Sequence, residues 1–118
     1  MSLLINAVVR EQDMLVAVDG EVDVSNAPEL REALDEALAH AAGLEGHHVC
    51  IDLSQVPYID STGIGVLVGA AHRAQEAGRT FVVARPQRNV ARVLSLLGVS
   101  EELNVHVADD ADQVGATE

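Results

Sequence analysis

The spacing of apolar and polar positions changes period several times along this chain. Leu3 to Val9 is a short apolar run, and Met14 to Asp19 is another. Gln12-Asp13 lies between them as a turn, so the pattern predicts two antiparallel strands, the second broken by Gly20. The period then becomes helical. Asn26-Ala27-Pro28-Glu29 reads as a helix start, with Asn26 as the cap, Pro28 in the first turn and Glu29 three residues after the cap. Leu30, Ala33, Leu34, Ala37, Leu38 and Ala41 follow at helical spacing, and Gly43 ends the segment.

Val49 to Leu53 is apolar apart from Asp52 and predicts a buried central strand. Pro57 marks a bend. Asp60-Ser61-Thr62-Gly63 then leads into Ile64, Leu67, Val68, Ala71 and Ala74, again at helical spacing, closed by Gly78. Thr80 to Ala84 predicts a fourth strand. Pro86 opens a third helix with the stripe Val90, Val93, Leu94 and Leu97, closed by Gly98. Leu103 to Val107 alternates and predicts a fifth, edge strand. The order β-β-α-β-α-β-α-β predicts a single α/β domain over residues 1–108. It is a mixed sheet of four to five strands with helices packed mainly on one face. The acidic tail, residues 109–118, is expected to fray.

Composition narrows the picture. The 118 residues suit one domain, and Tyr58 and Phe81 are the only aromatics, so the core is aliphatic. All seven basic residues are Arg; against 19 acidic residues they leave a formal net charge of -12 at pH 7. Phosphate neutralisation supplies most nucleic-acid affinity, so this balance argues against nucleic acid as a partner. An anionic membrane surface would repel the chain, whereas a basic patch on a protein partner would attract it. The single cysteine, Cys50, excludes an internal disulfide and reads as a small buried hydrophobe. The start of the chain lacks the pattern of a signal peptide, and no apolar stretch is long enough for a membrane span. A cytoplasmic protein is expected.

Asp60-Ser61-Thr62-Gly63-Ile64-Gly65 is the segment richest in candidate chemistry. Ser61 or Thr62 can cap the helix through its hydroxyl. Gly63 and Gly65 leave its first turn bare, so another surface can come close. Free N–H groups and the helix dipole favour negative charge there, and a phosphate on Ser61 could be accommodated. The blander reading is a capped helix start. A dinucleotide-binding loop is disfavoured, because Val68 stands where the third glycine belongs and Gly69 comes one residue late. A nucleophile elbow is disfavoured because Ile59 stands two residues before Ser61. Asp19, Glu21 and Asp23 alternate and could share one rim. His47 and His48 are adjacent and face opposite ways on a strand, and His40, His72 and His106 have no partners at ligand spacing. No metal site is expected. Arg85, Arg88 and Arg92 gather around the third helix, with Arg88 and Arg92 sharing a face.

Several of these segments together resemble a known family. They are Gly20-Glu21-Val22-Asp23, Ile51-Asp52-Leu53-Ser54, Tyr58-Ile59-Asp60-Ser61-Thr62-Gly63-Ile64-Gly65, Thr80-Phe81-Val82-Val83-Ala84 and Leu94-Ser95-Leu96-Leu97-Gly98-Val99. They resemble the STAS domain and, more narrowly, the bacterial anti-sigma-factor antagonists, from about Leu3 to Val107. The resemblance implies a protein switch with no catalytic residue and no cofactor. It implies that Ser61 is phosphorylated by an ATP-dependent anti-sigma factor serine kinase, with Thr62 as the alternative acceptor. The unphosphorylated form would bind that kinase and free its sigma factor, and a metal-dependent serine phosphatase would reset the switch. Asp23 would belong to the partner-binding surface, with Asp60, Ser61, Thr62, Gly63, Ile64 and Gly65. The alternatives are a STAS adaptor subunit of a stressosome or phospholipid-transport complex, and, from another class, a small hydrolase using Ser61.

Overall fold

The computed structural model describes residues 3–44 and 47–107; the acidic tail lies outside the described residues. Strands β1 (Leu4–Val9) and β2 (Asp13–Asp19) form a hairpin. Then come α1 (Ala27–Ala42), β3 (His48–Gln55), α2 (Ser61–Glu76), β4 (Phe81–Ala84), α3 (Arg88–Leu96) and β5 (Val105–His106). The five strands lie side by side in chain order. β1 is antiparallel to β2 and every later neighbour is parallel.

Sequential parallel strands with right-handed crossovers put every connecting helix on the same side of the sheet. The core therefore forms on one face only, as a single cluster. Val16, Val18, Ile51, Leu53 and Val83 of the sheet meet Leu30 and Leu34 of α1, Ile64 and Leu67 of α2, and Val90 and Leu94 of α3. Cys50 points to the other face and is half-buried rather than buried as expected. Burial nevertheless raises its thiol pKa. β1 is an edge strand whose apolar residues stay largely exposed, Leu4 by 69%.

α1 starts and ends as expected but is capped differently, and α3 and β5 are shorter than expected, each for a local reason. Asn26 does not cap α1: its side chain accepts from the Asp23 amide (2.9 Å) and donates to the Glu21 carbonyl (2.8 Å). Glu29 likewise accepts from the Leu3 amide instead of closing a capping box. α3 begins at Arg88 and not at Pro86, because Gln87 is extended and its side chain donates to the Ser54 carbonyl. β5 shrinks to two residues because Ser100 to Asn104 turns, driving Leu103 into the core. Gly78 and Gly98 end α2 and α3 as expected. Each takes a left-handed φ (+72° and +74°) that other residues adopt at a cost.

Asp52 is the one carboxylate inside β3. It accepts from the Ser54 amide (2.9 Å) and pairs with the Arg85 guanidinium across the end of β4. Burial alone would raise its pKa, but the Arg85 and Ser54 hydrogen bonds outweigh burial and hold it below 3.8. A carboxyl depressed in the fold stabilises it above the unfolded pKa, and that contribution fades as pH falls below 3.8. Arg85→Ala leaves this carboxylate unpaired and is expected to cost about 1–3 kcal/mol at pH 7. The difference from wild type should shrink once acid neutralises Asp52. Urea unfolding of both proteins at neutral pH and in the acid range checks this; an equal cost at both would refute it.

Candidate functional site

The turns that leave β2 and β3 run side by side. Gly20 donates its amide to the Gln55 carbonyl (3.1 Å). Val22 donates to the Tyr58 carbonyl (2.9 Å), and its own carbonyl accepts from the Asp60 amide (3.0 Å). Val22 and Ile59 thereby form an isolated parallel bridge beyond the sheet, and both are buried. An apolar pair sits at the centre of this crossing, and the polar residues beside it, Asp23 and Asp60, are turned to the rim.

Asp60 is the cap of α2. Its Oδ1 accepts from the Gly63 amide (3.0 Å), and its carbonyl accepts from Ile64 (3.0 Å). This corrects the expectation that Ser61 or Thr62 caps through a hydroxyl, and it accounts for one of the N–H groups expected to be free, that of Gly63. A carboxylate is already an excellent N-cap and complements the helix dipole. Ser61 and Thr62 are the first two residues of α2, both exposed, and neither hydroxyl bonds to a described residue.

The two glycines do opposite things. A Cβ on Gly63 would stand 2.6 Å from Val22 Cγ1 and 2.7 Å from Ile59 Cγ1. The helix can press against the bridged turns only because that position is bare, so Gly63 faces inward and exposes nothing. Gly65 has open space in front of it, and it alone offers the flat approach expected of both.

Asp23 is tethered by its neighbour: Oδ1 accepts from the Ser25 hydroxyl (2.6 Å) and the Ser25 amide (2.9 Å). Those two bonds hold its carboxyl below the ordinary value, so it is a fixed anion at neutral pH. Asp19, Glu21 and Asp23 share the rim of a cavity of about 430 Å³ with Gln55, Pro57 and Gln87. Two exposed apolar residues flank the rim, Val24 (69%) and Tyr58 (50%). On the other side, Thr62 borders a groove of about 270 Å³ with Gly65, Val66 and two arginines, Arg31 and Arg73. Arg73 is already paired with Asp35 (2.5 Å).

The remaining candidates disperse. His47 lies against the Arg10 carbonyl, His48 accepts from the Thr80 amide, His72 pairs with Glu102, and His106 contacts Asn104. No three His, Cys, Asp or Glu side chains among the described residues are grouped to hold a metal ion. Arg85 serves Asp52, whereas Arg88 and Arg92 are exposed on α3. Val22, Ser25 and Asn26 organise the site; Asn26 was expected only as a helix cap, and Ser25 had not stood out. The Gly-x-Val-Asp spacing carried a weak signal for Val22, since a lone apolar residue between two acids needs somewhere to bury.

A doubly tethered acidic turn thus lies beside a helix start whose two hydroxyls bond to no described residue, on a one-sided β-β-(αβ)₃ sheet. The chain belongs to the STAS domain family, whose pattern matches residues 5–113. It is 30% identical over 105 residues to the anti-sigma-B factor antagonist of Bacillus subtilis, covering 89% of this chain and 92% of that protein. The fold is similar to an anti-sigma factor antagonist from Mycobacterium paratuberculosis (TM-score 0.78, 23% identity, 95% of this chain and 92% of that one). It is also similar to the Bacillus cell fate determinant SpoIIAA in its phosphorylated form (TM-score 0.64, 15% identity, 95% and 98% covered). Among the described residues no helix is long and apolar enough to cross a membrane.

The packing of the two glycines gives a paired expectation. Gly63→Ala forces Cβ into Val22 and Ile59 and should destabilise by about 1–3 kcal/mol. Gly65→Ala meets nothing and removes an unfavourable helical glycine, so it should stabilise by about 0.5–1 kcal/mol. Chemical denaturation of both variants checks the contrast. Equal stabilities for the two would mean that α2 does not sit against the bridge as described.

Proposed function

We propose that this chain is an anti-sigma factor antagonist: a binding switch, not an enzyme, controlled by phosphorylation at Ser61. Unphosphorylated, it docks on an anti-sigma factor serine kinase and displaces the sigma factor; a serine phosphatase restores the docking form. The observation that carries this reading is the Ser61 hydroxyl. It is exposed and unbonded to any described residue, at the start of a helix whose capping is done by Asp60. A group can be added there without breaking a contact that holds the fold. The names of the relatives support the same reading.

The electrostatics suit a switch. A phosphate brings about -1.5 to -2 charge at pH 7. At roughly 6 Å from a like charge, each unit pair costs about 2–3 kcal/mol at an effective dielectric near 20. A partner that sets an acidic group against Ser61, held there by contacts elsewhere on the surface, is repelled by that added charge. A cost of about 2.8 kcal/mol is a hundredfold loss of affinity, and no change of shape is needed to produce it. Docking would use Asp23, Asp60, Ser61, Thr62 and the open surface at Gly65, with Gly63 as a spacer behind them; Ile64, expected on this surface, is buried in the core instead. Thr62 is the second candidate acceptor; its groove contains Arg31, which would draw a phosphate sideways off the rim.

Ser61→Asp should retain wild-type stability and lose at least about a hundredfold in affinity for the anti-sigma factor of the same organism. Ser61→Ala should bind it and accept no phosphate. Calorimetric titration and a kinase assay with labelled ATP measure both. Phosphate incorporation into Ser61→Ala but not Thr62→Ala would move the switch to Thr62. Undiminished binding by Ser61→Asp would remove the switch altogether.

A further inference from the structure

The arginines are concentrated in one stretch of the sequence. Between Glu76 and Glu101 there is no carboxylate, and four of the seven arginines lie there. Two have structural duties: Arg79 donates to the Leu44, His47 and Ala42 carbonyls, and Arg85 pairs with Asp52. Arg88 and Arg92 are exposed on α3, and neither bonds to a described residue.

These two arginines sit beside the most exposed apolar side chains of the helix layer. Val90 and Leu94 face the core, which turns two outer ridges to solvent. One ridge, at four-residue spacing, is Arg88, Arg92 and Leu96; the other is Asn89, Val93 and Leu97. Leu96 is 75% exposed, Leu97 55% and Val93 38%. Scattered single apolar residues are ordinary on a surface, but a contiguous set is a mark of recognition. The ridges are also joined to the site: the Asn89 side chain donates to the Pro57 carbonyl (2.7 Å), in the turn that carries Tyr58 and leads to Asp60.

We infer that the outer face of α3 is a second half of the docking surface, and that it receives an acidic patch with an apolar centre on the anti-sigma factor. The inference rests on the function proposed above. Charge complementarity selects this occupant. An acidic surface is repelled by most of a chain of net charge -12; Arg31 stands alone beside Thr62, whereas Arg88 and Arg92 attract it together from one helix face. The whole surface is then bipolar: acidic around Asp23 and Glu21, phosphate-sensitive at Ser61, apolar at Tyr58 and Leu96, basic on α3. Such an arrangement favours one orientation of the partner.

The test uses the full chain and the purified anti-sigma factor of the same organism, with association and dissociation rates followed at two salt concentrations. At about 0.01 M salt the Debye length is about 30 Å, and at about 1 M it is about 3 Å. Arg88→Glu/Arg92→Glu should slow association about tenfold or more at low salt, with the difference nearly gone at high salt. Arg88→Lys/Arg92→Lys should restore most of the rate. Leu96→Ser should speed dissociation several-fold at both salts. All these positions are exposed, so the far-ultraviolet circular dichroism should not change. If wild type binds, Ser61→Asp does not, and the α3 variants bind like wild type, this inference is overturned while the proposed function stands. If wild type does not bind, both fall. Variants that alter only self-association of the free chain would assign the face to a second copy and overturn the inference as well.

Discussion

The site depends on the crossing of two turns at Val22 and Ile59. Two hydrogen bonds to Val22, one through its amide and one through its carbonyl, lock the exit of β2 to the exit of β3. The carboxyl ends of neighbouring parallel strands are where such turns meet, because each strand there hands the chain to a helix on the same side. Burying the Val22–Ile59 pair costs nothing in polar groups and leaves Asp23 and Asp60 no place except the rim. Gly63 then lets α2 close against the pair, and the position of Ser61 follows from that of α2. A chain of short-range constraints thus runs from one apolar bridge to the placement of one hydroxyl.

Sequential strand order has a second consequence. With all helices on one side, no described helix covers the opposite face of the sheet, and residues such as Leu15 and Cys50 are half-buried there. Asp52 can exist in the middle strand because it points to that thinner side, where Arg85 reaches it from the end of β4. Arg85 adopts a φ of +53°, an uncommon conformation for a residue with a side chain, at the point where it turns back over the sheet. The ion pair and the unusual turn occur together at the root of the segment that leads into α3.

Much of this was legible in the residues. The helical stripes of α1 and α2, the central strand around Ile51 and the helix start after Asp60 follow from local periodicity, which reports which side of an element is apolar. Periodicity does not report how deeply an element is covered. Leu4 and Val8 of β1 are as apolar as Val49 and Ile51 of β3, yet one strand is an edge and the other central. Nor does local pattern reveal which of several adjacent polar groups takes a given donor. Asn26 looked like the cap of α1 and instead fastens the Glu21–Asp23 turn, because two bonds to a turn satisfy its amide better than one to a helix end. Gly63 and Gly65 looked equivalent, and only the approach of Val22 and Ile59 from other parts of the chain separates them.

The division of labour between Asp60 and Ser61 bears on how a switch of this kind can work at all. Had a Ser61 hydroxyl capped α2, phosphorylation would have exchanged a neutral cap for a bulkier dianionic one. The helix start would then have been remodelled together with the surface. With Asp60 as the cap, the Gly63 amide already has its partner, and in the proposed switch a phosphate on the next residue would change charge and shape outside the fold. The free energy of phosphorylation is then expressed at the partner's surface and not absorbed by refolding. This requires the rim to be stiff. The Val22 crossing, the Ser25 tether on Asp23 and the Asn26 brace on the turn all act to that end. A loose rim would let a new phosphate swing away from the partner's facing groups, and the repulsion on which the proposed switch relies would relax into motion.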